Sequence, residues 1–130
     1  MSVSIDHPLG DWPLACGRTL SGARITALRI GELNAARSNL ILVPTSYGAR
    51  PEDLAWLVGP VFDPRRWCIV IAGQFGNGAS SSPSNSAMGL AEQGWVVRHG
   101  DNVAAQRLLL LEGLGVERIA LVYGWSMGAQ

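Results

Sequence analysis

Three uninterrupted apolar runs frame the chain: Leu40-Ile41-Leu42-Val43, Trp67-Cys68-Ile69-Val70-Ile71-Ala72 and Ile119-Ala120-Leu121-Val122-Tyr123. Runs rich in β-branched residues and lacking polar alternation belong to strands covered on both faces, as in a parallel sheet. Each ends at a breaker, in turn Pro44, Gly73 and Gly124. Between them lie the connections that parallel pairing requires. Residues 51–58 predict a short helix, with Pro51 at a first helical position and Glu52 and Asp53 in the first turn, where the helix dipole favours negative charge. Residues 101–114 predict a longer one: Asp101 can cap exposed backbone N–H groups, Val103, Gln106, Leu109 and Leu110 fall near one stripe, and Gly113 and Gly115 end it. The order strand, helix, strand, helix, strand predicts an α/β fold with a mostly parallel sheet and right-handed crossover helices.

The first third of the chain is less regular. Residues 1–22 carry Pro8, Gly10, Pro13, Gly17 and Gly22 without a sustained period and read as an irregular leader on the surface of one domain spanning 1–130. Residues 23–30 alternate loosely. The turn residues Gly31-Glu32-Leu33-Asn34 follow, so a hairpin is expected to feed the strand at 40–43.

Composition narrows the function. The 130 residues are 48% hydrophobic and 15% charged, which fits one globular unit. Ten basic residues, all arginine, balance ten acidic ones, leaving no electrostatic footprint for nucleic acid or for an anionic membrane. No apolar run approaches the ~20 residues of a membrane span, and Met-Ser-Val-Ser-Ile-Asp-His at the start is not a basic stretch followed by an apolar core. Cys16 and Cys68 are too few for a disulfide scaffold, and with His7 and His99 they form no zinc-site spacing. A cytoplasmic, metal-free protein acting on a small-molecule substrate is the expectation.

Gly124-Trp125-Ser126-Met127-Gly128 follows the third run directly and fits G-x-S-x-G, the nucleophile elbow of α/β-hydrolases. Five letters alone are weak in so glycine-rich a chain; their position is what makes them specific. An elbow needs a strand that stops abruptly, a serine in a strained conformation, and glycines where a Cβ would clash. Ser126 would then attack a carbonyl carbon, and the Met127 N–H would donate to the developing oxyanion. A second N–H should come from the loop after an earlier strand, which makes Ser46 or Tyr47 the candidate.

Activating a serine takes a base, and in this fold the partners follow in the order Ser, Asp or Glu, His. Only Met127, Gly128, Ala129 and Gln130 follow Ser126, and both histidines precede it. The chain alone is therefore expected to be inactive, as the amino-terminal part of a longer fold. His99 is set aside as a substitute base because Arg98, Gly100 and Asp101 around it read as the start of a helix.

Over residues 22–130 the chain resembles the homoserine O-acetyltransferase family of α/β-hydrolase-fold proteins. The stretches that carry the resemblance are Gly31-Glu32-Leu33-Asn34-Ala35-Ala36-Arg37-Ser38-Asn39, Ala72-Gly73-Gln74-Phe75-Gly76-Asn77-Gly78 with Ser80-Ser81-Ser82-Pro83-Ser84, Asp101-Asn102-Val103-Ala104-Ala105-Gln106, and Leu114-Gly115-Val116-Glu117-Arg118. The resemblance implies a partial α/β-hydrolase fold and ping-pong acyl transfer, in which Ser126 takes an acyl group from a thioester such as acetyl-CoA and passes it to a hydroxyl such as that of homoserine. It implies no bound cofactor, with acyl-CoA as co-substrate. Trp125 stands where the family usually has a small residue, and Ala129 where it has glycine, which points to an altered pocket or a hydrolase-like branch with a different substrate; the alternatives to acyl transfer are an α/β-hydrolase-fold esterase or hydrolase, or a non-catalytic binding remnant. Residues 87–100 match the family poorly.

Two remaining features are assigned by exclusion. The loop with Gly73, Gly76 and Gly78 is not a phosphate cradle: its spacing is not G-x-G-x-x-G, the chain has no lysine for a Walker A loop, and the Pro83 region does not start a helix. It reads as an active-site rim. Trp12, Trp56, Trp67, Trp95 and Trp125 share no spacing and read as packing residues, with Trp125 able to line a pocket. The strand at 119–123 would be an apolar sheet edge, so self-association of the isolated chain is expected.

Overall fold

The computed structural model of the chain describes residues 1–86 and 96–130. Most of the divergent stretch at 87–100 therefore lies outside the described residues, as does Trp95. Five strands form one mixed sheet in the order β1-β2-β4-β3-β5: β1 (Ser2–Pro13), β2 (Thr19–Ile30), β3 (Leu40–Pro44), β4 (Cys68–Ala72) and β5 (Leu121–Val122). The strands β3, β4 and β5 run parallel, pairing Leu40 with Cys68 through Pro44 with Ala72, and Ile41 with Leu121.

Residues 1–22 are not an irregular leader. Twelve of them form β1, which pairs antiparallel with β2 from Ser2↔Ile30 to Pro13↔Thr19. Pro8, Gly10 and Pro13 obscured this strand in the sequence. Proline is tolerated on an edge strand, and the register shifts on either side of Gly10 absorb the irregularity as bulges. Nor does β2 make a hairpin with β3. Its neighbours are β1 and β4, so residues 31–39 carry the chain past β4 to its far side.

That passage is fixed by polar side chains. Asn39 Oδ1 accepts from the Asn34 N–H at 2.9 Å, and Asn39 Nδ2 donates to the Glu32 and Arg66 carbonyls. Arg37, left-handed at φ 49°, donates to the Leu114 carbonyl. Gly31 is required by close approach, since a Cβ there would stand 2.2 Å from the Trp67 carbonyl oxygen.

Alternation along the parallel strands splits the core between two faces. Leu40, Leu42, Cys68 and Val70 face α1 (His99–Leu108), packing with Ala105, Leu109, Leu110 and Val116. Ile41, Val43, Ile69 and Ile71 face the 3₁₀ helix Pro51–Leu57, packing with Leu54, Leu57 and Phe62. The expected coverage on both faces holds for β3 and β4. It fails for β5, where Leu121 is 47% and Val122 55% exposed.

The long helix also differs from its reading. It starts at His99, and Asp101 is its third residue rather than its cap, accepting from the N–H groups of Arg98 at 2.8 Å and Ala15 at 2.9 Å. A wider turn over Leu109–Gly113 replaces its final stretch. Val103 points outward, because Asn102 and Gln106 turn inward to satisfy the Phe75 N–H and the Gly73 carbonyl. Among the described residues, no helix is long and apolar enough to cross a membrane, and no three metal-ligating side chains come together.

Candidate active site

The carboxyl ends of β3, β4 and β5 lie on one rim, and the loop after each strand contributes to it. After β5 the backbone is extended at Trp125 (φ −135°, ψ 167°) and then reverses at Ser126, whose φ of +51° is left-handed. An L residue with a Cβ rarely takes that conformation; it costs energy that the surroundings must hold. The single 3₁₀ turn Ser126–Ala129 follows.

The two flanking glycines answer to close approach. A Cβ on Gly124 would stand 2.4 Å from the Gly128 carbonyl oxygen, and one on Gly128 would stand 2.4 Å from that of Pro44 and 3.0 Å from that of Thr45. Backbone here packs on backbone, so no side-chain shift could relieve either clash. The same contact brings the Ser126 turn against the end of β3, immediately before Ser46 and Tyr47.

Ser126 is exposed. The Met127 N–H belongs to the first turn of the 3₁₀ helix, where no intrahelical acceptor exists, and it has no partner among the described residues. The N–H groups of Ser46 and Tyr47 are likewise unpartnered among those residues, whereas the Thr45 N–H is committed to the Ala72 carbonyl at 3.0 Å. Tyr47 is 84% exposed. Neither histidine joins this arrangement: His99 is the exposed first residue of α1, and half-buried His7 lies in β1 against Gly113.

Several supporting residues escaped the sequence reading. Buried Gln74 donates through Nε2 to the Thr45 carbonyl at 2.5 Å, tying the loop after β4 to the loop after β3. Thr45 is itself fully buried, with its Oγ1 unpartnered among the described residues. The signal for Gln74 was a polar residue directly behind a fully buried strand and Gly73. In the glycine loop, Asn77 Oδ1 accepts from Ala79 and Ser80, Ser82 Oγ accepts from Gly78, and the Gly76 N–H donates to the Ser81 carbonyl. Those donors are spent inside the loop rather than offered to a ligand.

Two further features flank the elbow. A cavity of about 890 Å³ opens on the α1 side, lined by Leu42, Leu110, Val122, Gly124 and Gly128 among others, and Ser126 is not part of its wall. On the opposite face, Trp125 packs its ring against Trp56 and Tyr123 rather than standing free. The two thiols differ in kind. Backbone N–H groups of Val96 and Arg18 hold the Cys16 thiol below its ordinary range, while burial pushes that of Cys68 up.

The structure matches that of the acetyl esterase MekB with a TM-score of 0.86 and 41% identity, over 99% of this chain and 38% of that one. The chain has the α/β-hydrolase fold, in part. Its homologues are esterases and homoserine O-acyltransferases. The ethyl acetate hydrolase of Pseudomonas veronii is 44% identical over 126 residues, covering 94% of this chain and 36% of that protein. A homoserine O-succinyltransferase of Azoarcus sp. is 32% identical over 147 residues, covering 98% of this chain and 38% of that protein. The chain thus spans little more than a third of the length of these relatives. No family model matches it.

Proposed function

We propose that this α/β-hydrolase-fold chain carries the nucleophile of an enzyme that hydrolyses short-chain carboxylic esters. Ser126 Oγ would attack the ester carbonyl and lose its proton to a base. The carbonyl oxygen would become an oxyanion held by the Met127 N–H and by that of Ser46 or Tyr47, and the alcohol would leave with a proton. Water would then attack the acyl-serine, releasing the carboxylic acid and restoring the hydroxyl. The observation that carries this reading is the left-handed backbone of Ser126 between two glycines that admit no Cβ. Ester hydrolysis is preferred over transfer because the ethyl acetate hydrolase is 44% identical to this chain and the homoserine O-succinyltransferase 32%.

The second reading is transfer from a thioester such as acetyl-CoA to a hydroxyl acceptor, with acyl-CoA as co-substrate and no bound cofactor. It is supported by that succinyltransferase, which aligns with 98% of this chain. The test is fluorophosphonate labelling of the protein as its gene encodes it, with peptide mapping. The label is expected on the peptide that begins at Ile119, and Ser126→Ala is expected to remove it and to lower ester turnover by about 10⁴-fold or more. A label on another residue overturns the reading. The isolated 130-residue chain, in which no histidine is placed beside Ser126, is expected to label weakly. Comparing acetyl-CoA with p-nitrophenyl acetate as acyl donor separates transfer from hydrolysis.

A further inference from the structure

Extended backbone sends alternate side chains to opposite sides, and this divides the residues that lead into Ser126. Gly124 faces the Gly128 carbonyl, while Tyr123 and Trp125 face the connection between β3 and β4. There they meet two more rings. Phe62 lies against Tyr123 at 5.6 Å between centroids and 76° between planes, Tyr123 against Trp125 at 6.1 Å and 76°, and Trp125 against Trp56 at 5.8 Å and 37°. The four rings form an arch. Its feet, Trp56 and Phe62, stand on the single connection between β3 and β4, and its two middle members flank Gly124.

The Phe62 foot is buried and the Trp56 foot is 59% exposed, but the backbone beneath both is fixed. Leu54 and Leu57 of the 3₁₀ helix are buried in the core beneath the sheet, and Phe62 is 7% exposed. The Val61 and Phe62 N–H groups both donate to the Leu57 carbonyl at 3.0 Å, and the Gly59 N–H returns to the Phe62 carbonyl at 2.8 Å. An arch set on this base resists rotation of the residue just before the left-handed serine. The glycine contacts limit approach from the opposite side only.

We propose that Trp125 is a positioning residue for Ser126. Its indole, clasped between Trp56 and Tyr123, fixes the peptide between residues 125 and 126, and so sets the direction in which the Ser126 hydroxyl leaves the backbone. The inference rests on the reading of Ser126 as nucleophile. The Trp125 ring is engaged with Trp56 and Tyr123, so its effect is expected in the chemical step and not in substrate affinity.

The experiment measures p-nitrophenyl acetate kinetics on the protein as its gene encodes it, with circular dichroism to monitor folding. Trp125→Ala is expected to lower kcat about tenfold with KM within about twofold, and Trp125→Phe to recover most of the loss. Trp56→Ala is expected to lower kcat by a smaller factor of about three, and the double Ala variant to fall no further than Trp125→Ala alone, because Trp56 acts through Trp125. A folded Trp125→Ala protein with unchanged kcat, a change confined to KM, or no recovery with Trp125→Phe overturns the proposal. Should Trp125→Ala not fold, the exposed Trp56 carries the test, and wild-type kcat in Trp56→Ala overturns it. Ser126→Ala separates the two assignments: turnover that survives it refutes the nucleophile itself. Turnover that it abolishes, while Trp125→Ala and Trp56→Ala run at full rate, refutes the positioning role alone.

Discussion

Two glycine-bearing turns leave the same rim of the sheet, one after β5 and one after β4, and they use glycine for different reasons. At Gly124 and Gly128 an added Cβ would stand 2.4 Å from a backbone carbonyl oxygen. At Gly76 and Gly78 it would meet nothing within 4 Å, and the demand is conformational, with φ of +89° and +86°. The first turn is held by contact between main chains. The second is held by side chains that cap its N–H groups, with Asn77, Ser82 and Asn102 as acceptors. Glycine count therefore says little about a turn's purpose; what surrounds the missing side chain says most.

The sharpest way to break this comparison is Gly128→Ala. Neither Pro44 nor Thr45 can yield without shifting β3, so the expected cost is about 3 kcal/mol or more in urea unfolding, together with loss of fluorophosphonate labelling. Retained stability would show that the contact is soft. Next, Asn102→Ala leaves the buried Phe75 N–H without its 2.8 Å acceptor and should cost about 1–3 kcal/mol by the same measurement. Gly73→Ala is expected to cost a comparable amount, about 2–3 kcal/mol. Its Cβ would lie 2.9 Å from the Thr26 carbonyl oxygen, which accepts the Gly73 N–H and cannot move away, and 2.8 Å from Asn77 Nδ2 and 3.0 Å from Ser80 Oγ. The smallest effect belongs to Gly76→Ala, about 1 kcal/mol for a left-handed alanine in open space. This variant should leave Cys68 closed to iodoacetamide under native conditions while Cys16 reacts as in the wild type. The Cys68 thiol is fully buried and pushed up by desolvation, and that of Cys16 is half-buried and held low.

The parts of the fold legible in the sequence were those written by one dominant force. The runs at 40–43 and 67–72 announce buried strands because nothing polar interrupts them, and residues 40–43 and 68–72 are buried throughout, with Trp67 half-buried ahead of β4. The strand β1 was illegible because its evidence is pairing with β2 rather than apolar pattern: Pro8 and Gly10 mimic a loop, and only the register with β2 makes them a strand. The outward turn of Val103 could not be read from apolar periodicity, since the needs of two distant backbone groups decided the face of α1. At the elbow, five residues and a preceding strand placed the turn. The partners at its back, Gln74, Trp56 and Phe62, are joined to it only through folding. No spacing among tryptophans foretells that Trp56 meets Trp125.

The parallel register of β3, β4 and β5 sets three separately encoded loops side by side on one rim, with the sheet beneath shared among them. Each loop can then change in sequence without disturbing the strand pairing that holds the other two.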